Sequence, residues 1–501
     1  MRKVIDLQPS IFCPAIGQIQ FDLNSRDEIP KVLMGIQALF KDPNTRKKIF
    51  KLLANILPNK KEDSKKKANP QKGRPGMDQW AIFVLGMLRL NCNIDFDKLH
   101  ELSNQHKSLR MMIGHDVLDG KRYPLQTIKD NVVLLDRNSL DKINIIAVNF
   151  GHKKIVGHKT GSTLKGSCDS FVLETYVHFP TDISLCFDAV RKSTETVRML
   201  CNHLAISGWR EAKSNIRKVK KQFRKVSKLK KSTSKDEDKQ KEREQLIKEA
   251  HADYVDLSNF FLDKAQETIN AIVVDNDNYL LCAKIANIQR YIDHGKRQVA
   301  LIRRRVINGE SIPHEEKVFS IFEEHTEWIS KGKAGVPVEL GKRVCIVKDQ
   351  YGFILHHRVM ENETDDKVAV SIIRETKERF PSFNSCSFDK GFHSPANQKA
   401  LAEILDKVYL PRKGRLSKEA KEIEFSEDFV TARRKHSAVE SSINALENHG
   451  FDICRDHGIE GFKRYVALGV AARNLQIIGH MIQQKELKKK RRAEKKYALA
   501  A

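Results

Sequence analysis

Apolar residues near the start of the chain recur every three or four positions, as they do on one face of a helix. This pattern runs from residue 27 to residue 57, and Pro30 suits an early helical position. It predicts a short helical pair. Residues 59–75 are instead rich in Lys, Arg, Pro and Gly, which indicates a flexible basic linker. Residues 1–72 are therefore predicted to be an N-terminal helical region and its linker.

Residues 73–140 are predicted to form a compact helical DNA-binding domain. Its apolar segments are short and are separated by Asp, Gly or Tyr-Pro, at 79–90, 96–102, 109–113 and 125–135. The last segment carries Thr127 and Lys129 near its start and suits the recognition helix of a helix-turn-helix. A helical bundle with a hydrated polar face explains the same periodicity, so the two interpretations stay open.

β-Strand patterns begin after residue 152, where β-branched and aromatic residues alternate with glycines. They predict strands at 155–156, 162–168 and 171–178, so 141–200 is interpreted as the first part of a sheet domain. Residues 201–339 are long, charged and helix-prone, which predicts a helical insertion. Within it, 217–248 indicates two antiparallel arms with a tip near Ser232-Thr233-Ser234. A solvated hairpin, a DNA-clamping arm and a dimer-forming arm all fit this composition.

The sheet domain resumes at 340–484, where strand and helix patterns alternate. Strands are predicted at 343–348, 353–360, 385–388 and 407–410, with a hairpin turn at 349–352. Helices are predicted at 366–380, 395–405, 431–446 and 462–484. The tail, 485–501, is basic and is predicted to be a disordered, phosphate-binding end. The alternation favours an α/β fold.

Charge narrows the class of partner. The chain has 501 residues, with 90 Lys or Arg against 64 Asp or Glu, a net charge of +26 and a pI near 9.6. Such an excess favours a polyanion, nucleic acid before an anionic membrane surface. No apolar run is long enough to span a membrane, and the nine cysteines show no zinc-site spacing. We expect a soluble, intracellular protein with reduced thiols and no membrane partner.

Three acidic residues far apart in the sequence carry the candidate chemistry. Asp389 follows a predicted strand, Asp169 lies in another, and Glu440 lies on the polar side of a helix whose apolar stripe is Val439, Ile443 and Leu446. Phosphodiester chemistry with two divalent ions needs such hard-oxygen ligands, and Mg²⁺ prefers them. Rival acids are Glu174, Asp182 and Asp188 for the first position, Asp349 for the second and Glu447 for the third. His356, His357 and His393 are weaker candidates for ligands or phosphate contacts.

Asp182 follows Pro-Thr and is interpreted as the cap of a helix that begins at Ile183. Asp349 precedes a Gly-containing turn, where Asp is favoured for local hydrogen bonds, and is interpreted as structural.

The segments around the three acids resemble the three acidic motifs of bacterial insertion-sequence DDE transposases of the ISNCY type. They are 169–182, 388–392 and 436–440, in that order. Gly73-Arg74-Pro75 before the helical domain and Arg473-Asn474-Leu475 near the end add to a resemblance that covers roughly 73–480. A related pattern has Arg and Lys where this chain has His436 and Glu447. Arg433 or His436 could replace that Arg as a DNA contact.

The resemblance implies an RNase H-like mixed sheet as the catalytic core. Asp169, Asp389 and Glu440 would be catalytic and would bind two Mg²⁺ ions, for which Mn²⁺ would substitute. Double-stranded DNA would be nicked at the terminal inverted repeats of an insertion sequence and its 3′ ends joined to target DNA. Besides Arg433 and His436, the expected DNA-binding residues are Lys390, Thr127 and Lys129. The implied setting is a homodimer in the bacterial cytoplasm, associated with the nucleoid.

Two alternatives remain at this level. An RNase H-like nuclease would cut DNA without joining it, which a strand-transfer assay on labelled end DNA separates from a transposase. A catalytically silent derivative would bind end DNA and show no cleavage with Mg²⁺ or Mn²⁺. The three intact acids argue against the silent derivative.

Overall fold

The structure is a computed structural model that describes residues 4–5, 15–55, 76–115, 119–159, 161–273, 277–330 and 337–500, with side chains as far as 496. The predicted linker at 59–75, including Gly73-Arg74-Pro75, lies outside these residues. The chain divides into two compact units. The first comprises Met1–Tyr176 and Gly341–Ala501, and the second comprises Val177–Leu340.

Among the described residues, seven α-helices precede the sheet in the first unit. Apolar periodicity predicted six of them, and the helix Arg137–Phe150 was not predicted. Aspartate side chains begin several of them by accepting a backbone N–H of the first turn, as Asp42 does from Thr45 and Asp136 from Ser139. The helices are α1 Glu28–Lys41, α2 Pro43–Leu53, α3 Gln79–Asn91, α4 Phe96–Gln105, α5 Lys107–Met112, α6 Leu125–Val132 and α7 Arg137–Phe150. A π-helical segment, Gly151–Val156, extends α7.

Among the described residues, six strands that lie wholly or mainly in the first unit form a mixed sheet. The strands are β1 Leu164–Thr175, β3 Val338–Asp349, β4 Ile354–Val359, β5 Phe383–Phe388, β6 Lys407–Tyr409 and β7 Ile453–Cys454. β3 pairs antiparallel with β1 and with β4. On the other side, β5 is parallel to both β1 and β6, and the short β7 is parallel to the end of β1. The protein is therefore mixed α/β, as predicted at that level.

The strand predictions after residue 152 need correction. Residues 155–156 are not a strand, because they complete the π-helical segment after α7. The separate strands predicted at 162–168 and 171–178 are one continuous strand, β1. Gly166 does not interrupt it, since a Cβ there would lie 2.3 Å from the carbonyl oxygen of Lys348 and glycine permits this close pairing. The predicted hairpin between β3 and β4 is confirmed.

The later helices of the first unit are α12 Asp365–Arg379, α13 Pro395–Ile404, α14 Lys418–Glu424, α15 Glu427–His436, α16 Ala438–Leu446 and α17 Gly458–Ala500. The single helix predicted at 431–446 is thus two helices that break at Ser437. The tail predicted to be disordered is the continuation of α17. This long helix packs on α1, α3 and α7, so it joins the helical leader to the sheet.

The leader and the sheet share one hydrophobic core, so residues 73–140 are not a separate domain in the first unit. A polar junction lies inside this core. Asn474 of α17 is fully buried, and its side chain pairs with both the N–H and the carbonyl of Ile354 at 2.9 Å. It also donates to Asn144 of α7 at 2.7 Å. These bonds complete the backbone pairing at the start of β4.

The second unit is mainly helical. Its helices are α8 Asp182–Leu204, α9 Ala212–Lys228, α10 Glu237–Asn270 and α11 Tyr279–Ile302, and β2 Glu327–Ser330 pairs with β3, which begins in this unit. The predicted insertion, 201–339, begins too late, because α8 already belongs to this unit. Phe187 of α8 stacks on Phe223 of α9 at 5.3 Å, in a cluster that includes Tyr254 of α10. The predicted two-armed hairpin is present as α9 and α10.

None of the described helices combines the length and the apolar character that crossing a membrane requires.

Candidate active site

The register of two parallel strands places Asp169, in the middle of β1, level with Asp389 at the carboxyl end of β5. Cys168 of β1 is paired with Phe388 of β5, and each acid is the next residue in its chain. Side chains alternate between the two faces of a strand, so both acids leave the sheet on the face opposite the buried Cys168 and Phe388. Asp389 directly follows the end of β5, as its sequence context predicted.

Polar side chains lie on the same face of the sheet, two residues before the acids in β1 and β5. Ser167 of β1 lies between Lys348 of β3 and Ser387 of β5 in the strand register. The Oγ atoms of Ser167 and Ser387 are 2.9 Å apart. Ser387 Oγ is also 3.0 Å from Nδ1 of His436, the last residue of α15. This contact fixes the end of α15 over the sheet.

Lys348 positions α16, the helix that carries Glu440. Its Nζ donates hydrogen bonds to the carbonyl of Ala438 and, at 2.9 Å, to Ser442 Oγ. Ala438 and Ser442 lie two residues before and two residues after Glu440. Val439 is fully buried beneath the helix, while Glu440 is exposed. Lys348 thus holds α16 to the sheet through one residue before Glu440 and one residue after it.

A fourth acid, Asp365, lies beside the predicted three and was missed in the sequence. Its Oδ1 accepts a 2.6 Å hydrogen bond from Ser170 Oγ, and Ser170 directly follows Asp169. A Cβ placed on Gly391 would lie 3.0 Å from Asp365 Oδ2 and 3.6 Å from Asp389 Oδ2. Both carboxylates therefore border the space beside Gly391. As the first residue of α12, Asp365 looked in the sequence like an ordinary acid of a first helical turn.

The charges of the other three carboxylates act on the pKa of Asp169. Burial raises the pKa of Asp169 to about 7, and the charges of Asp389, Asp365 and Glu440 act in the same direction. The Ser170 N–H opposes this shift by donating to Asp169 at 2.8 Å. Burial also lowers the pKa of His436, although Asp389 and Glu440 act against that effect. Asp169 therefore lies within the electrostatic influence of the other three carboxylates.

The predicted magnesium site depends on the arrangement and the chemical type of the donor atoms present. Across the described residues, no three His, Cys, Asp or Glu side chains are already arranged to hold a metal ion. The carboxylate oxygens present are nevertheless the hard donors that Mg²⁺ prefers, and a divalent cation would relieve the repulsion that the other three acids exert on Asp169. Mg²⁺ also retains water or substrate phosphate in its shell, so it does not need a closed protein cage. The donors therefore suit such an ion by their chemical type, and magnesium stays a prediction.

Two rival acids have structural partners. Asp349 Oδ1 accepts the N–H groups of Tyr351 and Phe353, both at 2.9 Å, and its Oδ2 lies 2.5 Å from His152 Nε2. It shapes the β3–β4 turn, as its sequence context predicted. The interpretation of Asp182 as a helix cap is wrong. Thr181 caps α8, and Asp182 pairs with Arg305 at 2.9 Å.

The other candidates lie elsewhere. Asp188 pairs with Arg191 at 2.9 Å within the second unit, and Glu174 lies near the end of β1. Glu447 follows the last residue of α16. His356 and His357 are buried on β4, where burial lowers the pKa of each. His393 Nδ1 accepts the N–H of Lys413 at 3.3 Å.

The expected DNA-binding residues fall into two places. Lys390 and Arg433 are exposed, beside Asp389 and on the last turn of α15 respectively. His436 is largely buried, and its Nε2 has no hydrogen-bond partner among the described residues. It links α15 to the sheet rather than facing open surface. Thr127 and Lys129 lie on α6 of the leader. Their contacts with DNA stay predictions.

No protein family, curated protein or solved structure matches this chain.

Proposed function

We propose that this protein is a DNA transposase whose first unit contains an RNase H-like catalytic domain. The observation that carries the proposal is the strand register. Asp169 and Asp389 follow paired residues on adjacent parallel strands. Glu440 lies on a helix that Lys348 holds over the same face. Although 220 and 51 positions separate the three acids in the chain, Asp389 and Glu440 both act on the ionisation of Asp169, and the acids occur in the order of the transposase motifs.

The sheet supports the RNase H-like part of the proposal. An antiparallel set of three strands, β4, β3 and β1, continues into the parallel strands β5 and β6. The first acid lies on the central strand of this path and the second at the end of its parallel neighbour. Ligands and reacting groups of α/β sheets lie at this carboxyl edge. The second unit interrupts the sheet between β1 and the part of β3 that pairs with it.

Each residue of the site has a role in this proposal. Asp169, Asp389 and Glu440 would hold two Mg²⁺ ions, with Asp365 beside them. Bound ions would activate the attacking oxygen and offset charge on the leaving oxygen. Lys348 and His436 keep α16 and α15 in place over the sheet, so that Glu440 keeps its position. Lys390 and Arg433 provide positive charge at the rim for DNA phosphates.

The test uses purified full-length protein and labelled duplexes taken from both genomic flanks of its gene. With Mg²⁺ or Mn²⁺, we expect cleavage at the element ends and joining of the 3′ ends to a target plasmid. Asp389→Asn and Glu440→Gln should each reduce both steps by roughly 100-fold or more. Glu447→Gln is the matched control, because it removes the same group just beyond the end of α16, and it should retain activity.

A second readout does not depend on the DNA sequence chosen. Millimolar Mg²⁺ should raise the thermal midpoint of the wild type, because binding to the folded state stabilises it. Asp389→Asn should lose that shift.

Metal-dependent cleavage without joining would support the nuclease instead. If Glu440→Gln kept full activity and Glu447→Gln lost it, the assigned third acid would be wrong.

A further inference from the structure

Helix α9 in the second unit has an extreme charge composition. Its 17 residues include eight Lys or Arg and no Asp or Glu. Six of these cations recur at intervals of three, one, three, one and three residues, which places them along one side of the helix. They form the α9 stripe, which consists of Arg217, Lys220, Lys221, Arg224, Lys225 and Lys228.

The stripe faces outward because the other side of α9 is used for packing. Val219 and Val226 are buried, and Phe223 stacks on Phe187 of α8. All six cations of the stripe are exposed and line a shallow depression of about 360 Å³. Burial of the apolar side therefore fixes the rotation of the helix and turns the cations to solvent.

The α9 stripe is paired with little acidic charge in the described residues. In the described part of the chain, its one ion pair joins Lys225 to Asp253 of α10, at 3.3 Å and with both side chains more than half exposed. Exposed pairs of this kind contribute little to stability. Adjacent like charges on a helix are in addition mildly destabilising. The other five cations of the stripe have no ion pair among the described residues, so the contacts of the unit itself do not explain this arrangement.

The shape and chemistry of the stripe favour duplex DNA over an anionic membrane surface and over a second protein chain. From Arg217 to Lys228 the helix rises roughly 16 Å, and duplex DNA presents about ten phosphate charges over that length. An interfacial membrane helix needs an exposed apolar face, and the apolar face of α9 is already packed. A dimer contact through this face would place like charges together.

We propose that the α9 stripe binds the phosphate backbone of double-stranded DNA, without regard to sequence. This is the DNA-clamping interpretation of the hairpin, rather than the solvated or the dimer-forming one. The contact lies on α9 rather than on α10. It does not depend on the acids of the first unit, so it holds whether or not the protein cleaves DNA.

The test is fluorescence anisotropy of a random-sequence duplex of about 30 base pairs, with full-length protein in EDTA so that cleavage plays no part. The stripe variant is Lys220→Gln, Lys221→Gln, Arg224→Gln and Lys228→Gln. The control variant removes the same charge from exposed positions elsewhere in the unit, by Lys235→Gln, Lys241→Gln, Lys248→Gln and Lys284→Gln. All eight positions are exposed, and circular dichroism should show wild-type folding in both variants.

The stripe variant should bind at least about tenfold more weakly at 100 mM salt. Log affinity falls with log salt concentration, and the magnitude of this negative slope should become smaller by roughly 3 to 4, because four phosphate contacts are lost. The control should change both quantities much less. Equal weakening in both variants would show that only net charge matters and would overturn the assignment. Unchanged duplex binding would overturn it as well. So would a parallel assay in which the stripe variant loses binding to phosphatidylserine vesicles while its duplex binding stays unchanged.

Discussion

Two glycines hold α1 and α17 in unusually close contact, and replacing one of them tests the central packing of the first unit. A Cβ on Gly479 of α17 would lie 1.7 Å from the carbonyl oxygen of Lys31 and 2.9 Å from the nitrogen of Gly35. A Cβ on Gly35 would lie 2.0 Å from the carbonyl oxygen of Leu475. All of these neighbours are backbone atoms, so no side-chain rotation relieves the contact.

Gly479→Ala places two effects in opposition. Helix propensity favours Ala over Gly by about 1 kcal/mol in a helix interior. The clash instead forces the helices apart by more than 1 Å, in a core that contains Val32, Ile36 and Ile478. Overpacking of this kind costs about 1–3 kcal/mol, and the upper end applies where only backbone can move. We therefore expect the free energy of unfolding to fall by about 2 kcal/mol.

The measurement is urea unfolding followed by tryptophan fluorescence. With Trp209→Phe and Trp328→Phe in the background, Trp80 is the remaining tryptophan, and it is buried against Phe40 of α1. Gly461→Ala on the same helix is the control. Its Cβ would meet Asp456 at an ordinary 3.6 Å, so stability should stay unchanged or rise by up to about 1 kcal/mol. If Gly479→Ala were as stable as Gly461→Ala, the close crossing of α1 and α17 would be refuted.

Two further predictions concern the polar junctions of the first unit. Asn474→Ala should lower the free energy of unfolding by about 1–3 kcal/mol, because it leaves the N–H of Ile354 unpaired in the core. Asn448→Ala, at an exposed Asn444 contact, should change it by less than about 0.5 kcal/mol, and equal urea midpoints for the two variants would contradict this reasoning. Lys348→Met should release α16 and reduce metal-dependent DNA cleavage roughly tenfold or more. The control Lys165→Met, at an exposed position of β1, should leave cleavage unchanged. Wild-type activity in Lys348→Met would show that Glu440 does not need this anchor.

Predictions based on near neighbours in the chain were largely confirmed. The hairpin at 349–352 follows from Asp349 and Gly352, whose local preferences do not depend on the rest of the fold. The helices of the leader and the two arms of the second unit follow from periodicity and charge. The predicted ends of elements were less accurate. Ser437 interrupts a helix whose apolar pattern continues past it, and α17 continues through a tail whose composition alone suggested disorder.

What depended on distant parts of the chain was hidden from pattern alone. Residues 73–140 resemble an independent helical domain, yet α17 inserts from the other end of the sequence and completes one shared core. The predicted insertion likewise began too late, because the periodicity of α8 is the same whichever unit it packs in. Amphipathic spacing shows that a helix has an apolar face, but it carries no information about the partner that covers that face.

The same distinction applies to the site. Asp169, Asp389 and Glu440 were selected from motif order, and their identity as carboxylates limits the chemistry to hard-oxygen ligands and proton acceptors. Their approach comes from the pairing of Cys168 with Phe388 and from the anchor at Lys348. Asp365 entered the group only in three dimensions, since its contacts with Ser170 and Gly391 cross 195 and 26 positions of the chain. Residue type is local information, whereas proximity is set by strand register and packing over the whole unit.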